Sequence, residues 1–190
     1  MNKDIQVKSW KKQGTAGTIT RAETVLKGVT IDNIVLMNRD ISYKLKGKNP
    51  PKQLKIVEKT SPYSDVLYTE LGFPFPMSNR ELVQKRLFVG NKEDPEVVKQ
   101  LGLFDWSHRY YVTLVQGTDR PEYPVTKKLV RGVTPLGHTL LEEVEGGVKV
   151  TFLICQDLDL PKSAAKQLDD NMGVVIVIGL LDSYKQAFGK

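Results

Sequence analysis

The stretch that most constrains this chain is Gly72 to Phe88, GFPFPMSNRELVQKRLF. Two prolines spaced by a phenylalanine open it, Ser78-Asn79 turns it, and a strand-like segment follows with arginines at Arg80 and Arg86. At strand period, one face carries Arg80, Leu82, Gln84, Arg86 and Phe88, and the other carries Glu81, Val83, Lys85, Leu87 and Val89. Neither is a clean core face, so the period alone does not say which points inward. A guanidinium that does point inward is costly unless something anionic or strongly polar receives it. What receives these two is the functional question of the sequence.

The remaining elements follow from local chemistry. Thr18 to Val29 mixes β-branched with polar residues and reads as a strand, with room for a neighbour before it. Thr30 caps a helix from Ile31, with Ile34, Met37, Ile41 and Leu45 at helical spacing. Lys46 to Lys55 breaks that helix at Gly47, Pro50 and Pro51. Ile56 to Leu71 is one long strand or a pair interrupted at Ser61-Pro62, and Arg80 to Val89 is the next strand. A short helix after Asp94-Pro95 sits in the long loop from Gly90 to Ser107, and Arg109 to Gln116 is a strand. Val125 to Glu145 gives one or two strands, and Gly146-Gly147 turns into a strand from Val148 to Asp157. Ser163 to Phe188 closes the chain; β-branched Val174 to Ile178 would suit a strand, but its flanks favour one long helix with an enclosed centre. Strands, a helix, a run of antiparallel strands and a terminal helix describe one α+β domain over residues 1–190, a curved sheet wrapped on its last helix.

Several function classes find no support. His108 and His138 have no metal-pair spacing, and no P-loop, dinucleotide fingerprint or G-x-S-x-G occurs, so no catalytic residue, cofactor or metal is expected. Lys44, Lys46, Lys48, Lys52 and Lys55 form a basic cluster with no aromatic beyond Tyr43, which reads as a solvated loop rather than a nucleic-acid site. The net charge of +6 favours an acidic partner such as an anionic lipid surface. One cysteine, Cys155, suits a reducing compartment. The polar N-terminus shows no signal peptide, and the longest apolar run, Met172 to Leu181, falls short of the ~20 residues of a spanning helix, so a soluble cytoplasmic protein is expected.

The corner GFPFPMSNRELVQKRL, with Leu67-Tyr68-Thr69-Glu70 before it, resembles that of the START (StAR-related lipid-transfer) domains, above all their phosphatidylcholine-binding member. Arg131, the strand Val148 to Asp157 and Pro161 also resemble the family's pattern, and agreement in element order extends over most of Val25 to Phe188. The family's N-terminal helix looks short or missing here. The resemblance implies a helix-grip fold: an antiparallel sheet gripping a long C-terminal helix, with a lipid in a tunnel between them. By position it implies that Arg86 faces the tunnel and meets a phospholipid phosphate, with Glu70 as its partner in the empty state. Arg80, Tyr68, Gln84, Gln156 and Asp157 are further ligand-site candidates. The strand VTPLGHTLL has no tyrosine for a choline cage, so the headgroup stays open.

The resemblance also implies a mechanism. A diacyl lipid leaving a bilayer exposes roughly 30 methylenes at ~0.8 kcal/mol each, about 24 kcal/mol in all, so transfer needs an apolar enclosure that opens at a membrane. The lid would be the loop after the Arg86 strand, where Leu101, Leu103, Phe104 and Trp106 are the membrane-contact candidates. Lipid binding and intermembrane transfer by a monomer that touches membranes peripherally, without catalysis, is the expected function. A sterol or other lipid sensor acting as an adaptor and an enzyme on the same fold are the alternatives.

Overall fold

The helix predicted from Ile31 begins where its cap requires. Thr30 is extended, and its Oγ1 accepts a hydrogen bond from the Asn33 backbone N–H at 3.3 Å, a cap contributing about 1 kcal/mol. In the computed structural model, which describes residues 8–14, 17–45, 50–100, 102, 107–164, 178–179, 182–184 and 186–188, this helix is α1 (Ile31–Arg39). The single helix expected through Leu45 stops at Asp40, whose Oδ1 takes the Ser42 N–H at 2.9 Å; α2 (Ser42–Leu45) is a separate turn. A short carboxylate that captures the backbone two residues on competes with the helical ladder, and here it wins.

Among the described residues nine strands form one sheet: β1 (Lys8–Gly14), β2 (Gly17–Lys27), β3 (Gln53–Ser61), β4 (Ser64–Leu71), β5 (Arg80–Gly90), β6 (Tyr110–Gly117), β7 (Val130–Arg131), β8 (Val133–Val144) and β9 (Gly147–Asp157). The order is β1-β2-β9-β8-β6-β5-β4-β3, antiparallel throughout, and β7 pairs parallel to the start of β5. The residues before Thr18, where the sequence left room for a neighbour, supply β1 as the edge partner of β2. Ile56 to Leu71 resolves into a pair that begins earlier, at Gln53, and turns at Pro62-Tyr63. The β8–β9 turn lies one residue earlier than expected: Gly146 takes φ +75°, and Gly147 is already in strand. A Cβ on Gly147 would lie 2.1 Å from the Leu26 carbonyl oxygen, so β2 and β9 meet there only through glycine. Helix α3 (Pro95–Gln100) sits where Asp94-Pro95 predicted it.

The core lies on one face of this sheet. Ala22, Leu26, Val148, Val150, Leu141, Tyr111 and Phe88 pack there against Val29, Ile31 and Ile34 from the start of α1. Burying each large aliphatic contributes about 1.5–3 kcal/mol, enough to hold α1 across the strands. The expected terminal helix is described only in part, with helical backbone at 162–164, 178–179, 182–184 and 186–188. Tyr184 packs against this core and donates from its hydroxyl to the Gly28 carbonyl at 3.2 Å, while Phe188 lies 5.5 Å from the Tyr43 ring. The chain end therefore returns to the gripped face. No described helix is long and apolar enough to cross a membrane.

Candidate functional site

Strand register decides which β5 side chains share the core face. β5 runs opposite β4 without a shift, Leu71 facing Arg80 and Asp65 facing Arg86. Phe88 belongs to the packed core, so Leu82, Gln84 and Arg86 share its side of the sheet, as do Asp65, Leu67 and Thr69 across the ladder. Arg86 thus points to the gripped face, and its receiver is Asp65. Nε donates to Oδ1 at 2.7 Å and Nη2 to Oδ2 at 2.6 Å, with both residues buried, at 3% and 6% exposure. Nη1 donates to the Asn38 carbonyl of α1 at 3.1 Å. Three of the five guanidinium N–H groups are thereby used among the described residues, and the Phe88 ring lies 4.9 Å beneath the cation.

Further cations gather at this pair. Burial, then the Arg86 charge, pushes the Lys44 amine of α2 down to about 8, against a partial upward pull from Asp65. Arg39, at the end of α1, reaches over Phe88 at 5.8 Å and donates from Nε to the Tyr111 hydroxyl at 2.9 Å. Away from this charge centre, the face carries uncharged polar groups. Gln84 of β5 and Gln156 of β9 donate to the same Thr134 Oγ1, at 2.9 and 3.2 Å. On β2, the buried hydroxyls of Thr20 and Thr24 have no hydrogen-bond partner among the described residues. A mostly apolar surface with one charge pair and a few convergent polar groups is the composition that small-molecule sites commonly have.

Four sequence candidates are placed elsewhere. Glu70, expected beside Arg86, has the opposite parity; it faces Glu81 across the ladder, and its Oε1 accepts from Asn79 Nδ2 at 2.7 Å. Tyr68 is on that outer face too, donating to Glu81 Oε2 at 3.2 Å and stacked on Tyr123 at 4.5 Å. Arg131, which sequence reading noted without a role, completes this network by donating to Glu81 Oε1 at 2.9 Å and to the Tyr123 carbonyl at 2.6 Å. Arg80 shares the Arg86 face, but backbone carbonyls occupy it: Leu158 at 3.0 Å, Asp159 at 2.8 Å and Ser78. It clasps the corner to the chain leaving β9. Asp157 has the outward parity next to Gln156, is exposed, and accepts the Asp159 N–H. Leu101, Leu103, Phe104 and Trp106 lie outside the described residues. Among the described residues no group of His, Cys, Asp and Glu could hold a metal.

Asp65 is the functional-face residue that sequence reading missed. Its signal was parity: Glu70 and Asp65 lie on opposite faces of one strand, and only Asp65 shares the face of Thr69 and Leu67.

Neither a family model nor a curated protein matches the sequence. Solved structures match the fold. Human STARD10 superposes with a TM-score of 0.75 at 18% identity, over 94% of this chain and 69% of that one. Human StAR-related lipid transfer protein 5 gives 0.72 at 12%, over 98% and 88%. A STAR-related lipid transfer protein fragment from Xanthomonas axonopodis gives 0.70 at 19%, over 97% and 96%. The chain has the α+β helix-grip fold of these START domains.

Proposed function

We propose that this chain is a lipid-binding and lipid-transfer module that holds one lipid, a phospholipid in preference to a sterol, between the core face of its sheet and its C-terminal helix. Lipid-transfer proteins share its fold, and the observation that carries the reading is the buried Asp65–Arg86 pair on that face. A buried ion pair roughly breaks even against apolar packing, so it is weak evidence for a stability role. It is better suited to exchange: a lipid phosphate presents the same bidentate acceptor geometry as Asp65 and can use the guanidinium N–H groups that Asp65 and Asn38 leave. Gln84, Gln156 and Thr134 supply neutral donors and acceptors further along the face, for glycerol and ester oxygens.

The module works as a monomer in the cytoplasm and touches membranes only while loading and unloading. Leu101, Leu103, Phe104 and Trp106 are its membrane contacts, and the charge of +6 favours anionic bilayers. Binding, not bond chemistry, is its activity.

Native mass spectrometry of the purified chain tests this. The wild type is expected to carry a phospholipid mass. The double variant Arg86→Leu/Asp65→Leu, which removes both charges together, is expected to stay folded and lose it. Unchanged phospholipid loading in the double variant overturns the phosphate role, and a sterol mass in the wild type overturns the preference.

A further inference from the structure

The polar group beside Arg86 on the gripped face is built around a bulge. Leu141, Thr139 and Gly137 of β8 share that face at alternate positions, and the same step continued would bring Pro135 there and turn Thr134 outward. The register to β9 shifts between Val133 and Leu136, and Thr134 is turned inward instead, 1% exposed, where it accepts from both Gln84 and Gln156. Bulges re-aim side chains in this way, and they are common beside functional sites. Gln84 reaches Thr134 from two strands away because Gly117 of β6, its neighbour across the ladder, puts no side chain between them. A Cβ on Gly117 would lie 3.1 Å from the Thr134 carbonyl oxygen. Arg86 in turn faces Val115, and Val115 faces a second strand glycine, Gly137. Glycines inside strands mark places where another backbone or a ligand comes close.

The hydrogen-bond count of the trio points to the chemistry of that ligand. Each carboxamide has two N–H donors and an oxygen, and the threonine hydroxyl has one donor and an oxygen. The bonds at Thr134 use one N–H of each amide. The second N–H of each amide, the Thr134 proton and both carboxamide oxygens have no further partner among the described residues. Turning either amide over exchanges a donor for an acceptor and still leaves both kinds free. Gln84 is 8% exposed, and buried polar groups are as a rule hydrogen-bonded.

Gln84 and Arg86 stand two residues apart on β5, about 7 Å along the strand, so a phosphate at Arg86 brings the first atoms of the lipid backbone to the trio. A diacylglycerol backbone has only acceptors there. Its ester oxygens meet the free N–H and O–H groups and leave the carboxamide oxygens without a donor. A backbone hydroxyl or amide N–H supplies that donor, and the oxygen beside it still accepts. A site that hydrogen-bonds such a group discriminates against an analogue without it, because its own buried groups are then left unpaired.

We propose that the lipid is a phospholipid whose backbone keeps a hydroxyl or an amide N–H next to the phosphate, and that Gln84, Thr134 and Gln156 select for it. The shared chemistry has two sources, the free hydroxyl of a lysophospholipid and the amide of a phosphosphingolipid. The inference rests on the lipid-binding reading and narrows it.

The test uses the full chain and vesicles holding equal amounts of phosphatidylcholine, sphingomyelin and lysophosphatidylcholine, which share one headgroup. Loaded lipid is read by native mass spectrometry. One donor-bearing lipid is expected at least tenfold above the diacyl one; sphingomyelin identifies the sphingoid amide as the source, and the lyso lipid identifies the glycerol hydroxyl. In Thr134→Val and Gln156→Leu that preference should fall to about threefold or less. Circular dichroism accompanies the loading, and where Thr134→Val does not fold, Gln156→Leu decides alone. Diacyl loading equal to or above the others in the wild type overturns the inference and leaves the lipid-binding reading standing. A preference that both folded variants keep arises elsewhere and overturns it too. If none of the three lipids is loaded, both readings fall.

Discussion

Glu81 and Arg86, both buried, stand on the same strand, on opposite faces, and each belongs to an ion pair, yet the two surroundings differ in kind. On the outer face Glu81 is closed in: Arg131 donates to it twice, Tyr68 adds its hydroxyl, Arg131 turns its other contact to the Tyr123 carbonyl, and the Tyr123 ring covers Tyr68. The acid is bonded on both oxygens, and the base also has Asp119 3.9 Å from its Nη1. On the gripped face Asp65 is a single carboxylate for Arg86, with Lys44, Arg39 and Lys59 gathered near it. Among the described residues the first arrangement is closed by its own partners. Among those residues the second carries a surplus of positive charge, and a surplus is what an anionic ligand completes.

Breaking each pair singly separates the two roles. Arg86→Leu leaves Asp65 buried without its partner, and the loss of a buried pair's partner typically costs about 3–5 kcal/mol. Urea unfolding should show a loss of that size, with much of it restored in Arg86→Leu/Asp65→Leu, which no longer buries a lone charge. A single variant as stable as the wild type would mean that solvent reaches Asp65. Glu81→Gln is the milder outer-face counterpart, since the amide oxygen still accepts from Arg131. A charge-assisted bond of about 1.5–3 kcal/mol is weakened there, and lipid loading by native mass spectrometry should stay at the wild-type level. Lost loading in Glu81→Gln would erase the distinction between the faces.

How much of this was legible in the sequence depends on what fixes each feature. Most strands and the start of α1 follow from local signals: Thr30 as a cap, Gly146 at a positive-φ turn, Pro95 opening α3. The end of α1 was misread because Asp40 looks like an ordinary solvent-facing residue until its carboxylate is seen on the Ser42 N–H. The partner of Arg86 was beyond local reading. Parity within a strand is visible, but the register across the corner at 72–79 is set by the fold of that corner, and one residue of slip would bring the other face of β4 to Arg86. A bulge in β3 has the same character: nothing in QLKIVEKTS says that one residue is unpaired, and so nothing says that Lys59 rather than Glu58 faces Asp65. Arg80 shows the converse limit. Its parity was right, but its receivers are backbone carbonyls, which every residue has and no pattern marks.

Alkaline pH offers the finest probe of the comparison, because the two faces respond in opposite directions. Lys44 titrates near 8 when folded against an ordinary 10.5, since burial and Arg86 disfavour its charge. The unfolded chain therefore binds more protons between those values, and the Lys44 contribution to stability rises as pH climbs from 8 to 10.5. Tyr68 is pushed up to about 12 from 10.0, by burial and then by Glu81, so the folded chain holds its proton longer and the Tyr68 contribution falls from pH 10 upward. Lys44→Met should be more stable than the wild type at pH 7, with the difference shrinking by pH 10.5, whereas Tyr68→Phe should flatten only the decline above pH 10. Thermal unfolding of both variants across pH 7 to 11 reads the two slopes separately. A Lys44→Met difference that does not change with pH would remove Lys44 from the charge surplus on the gripped face, leaving Arg39 and Lys59 to carry it.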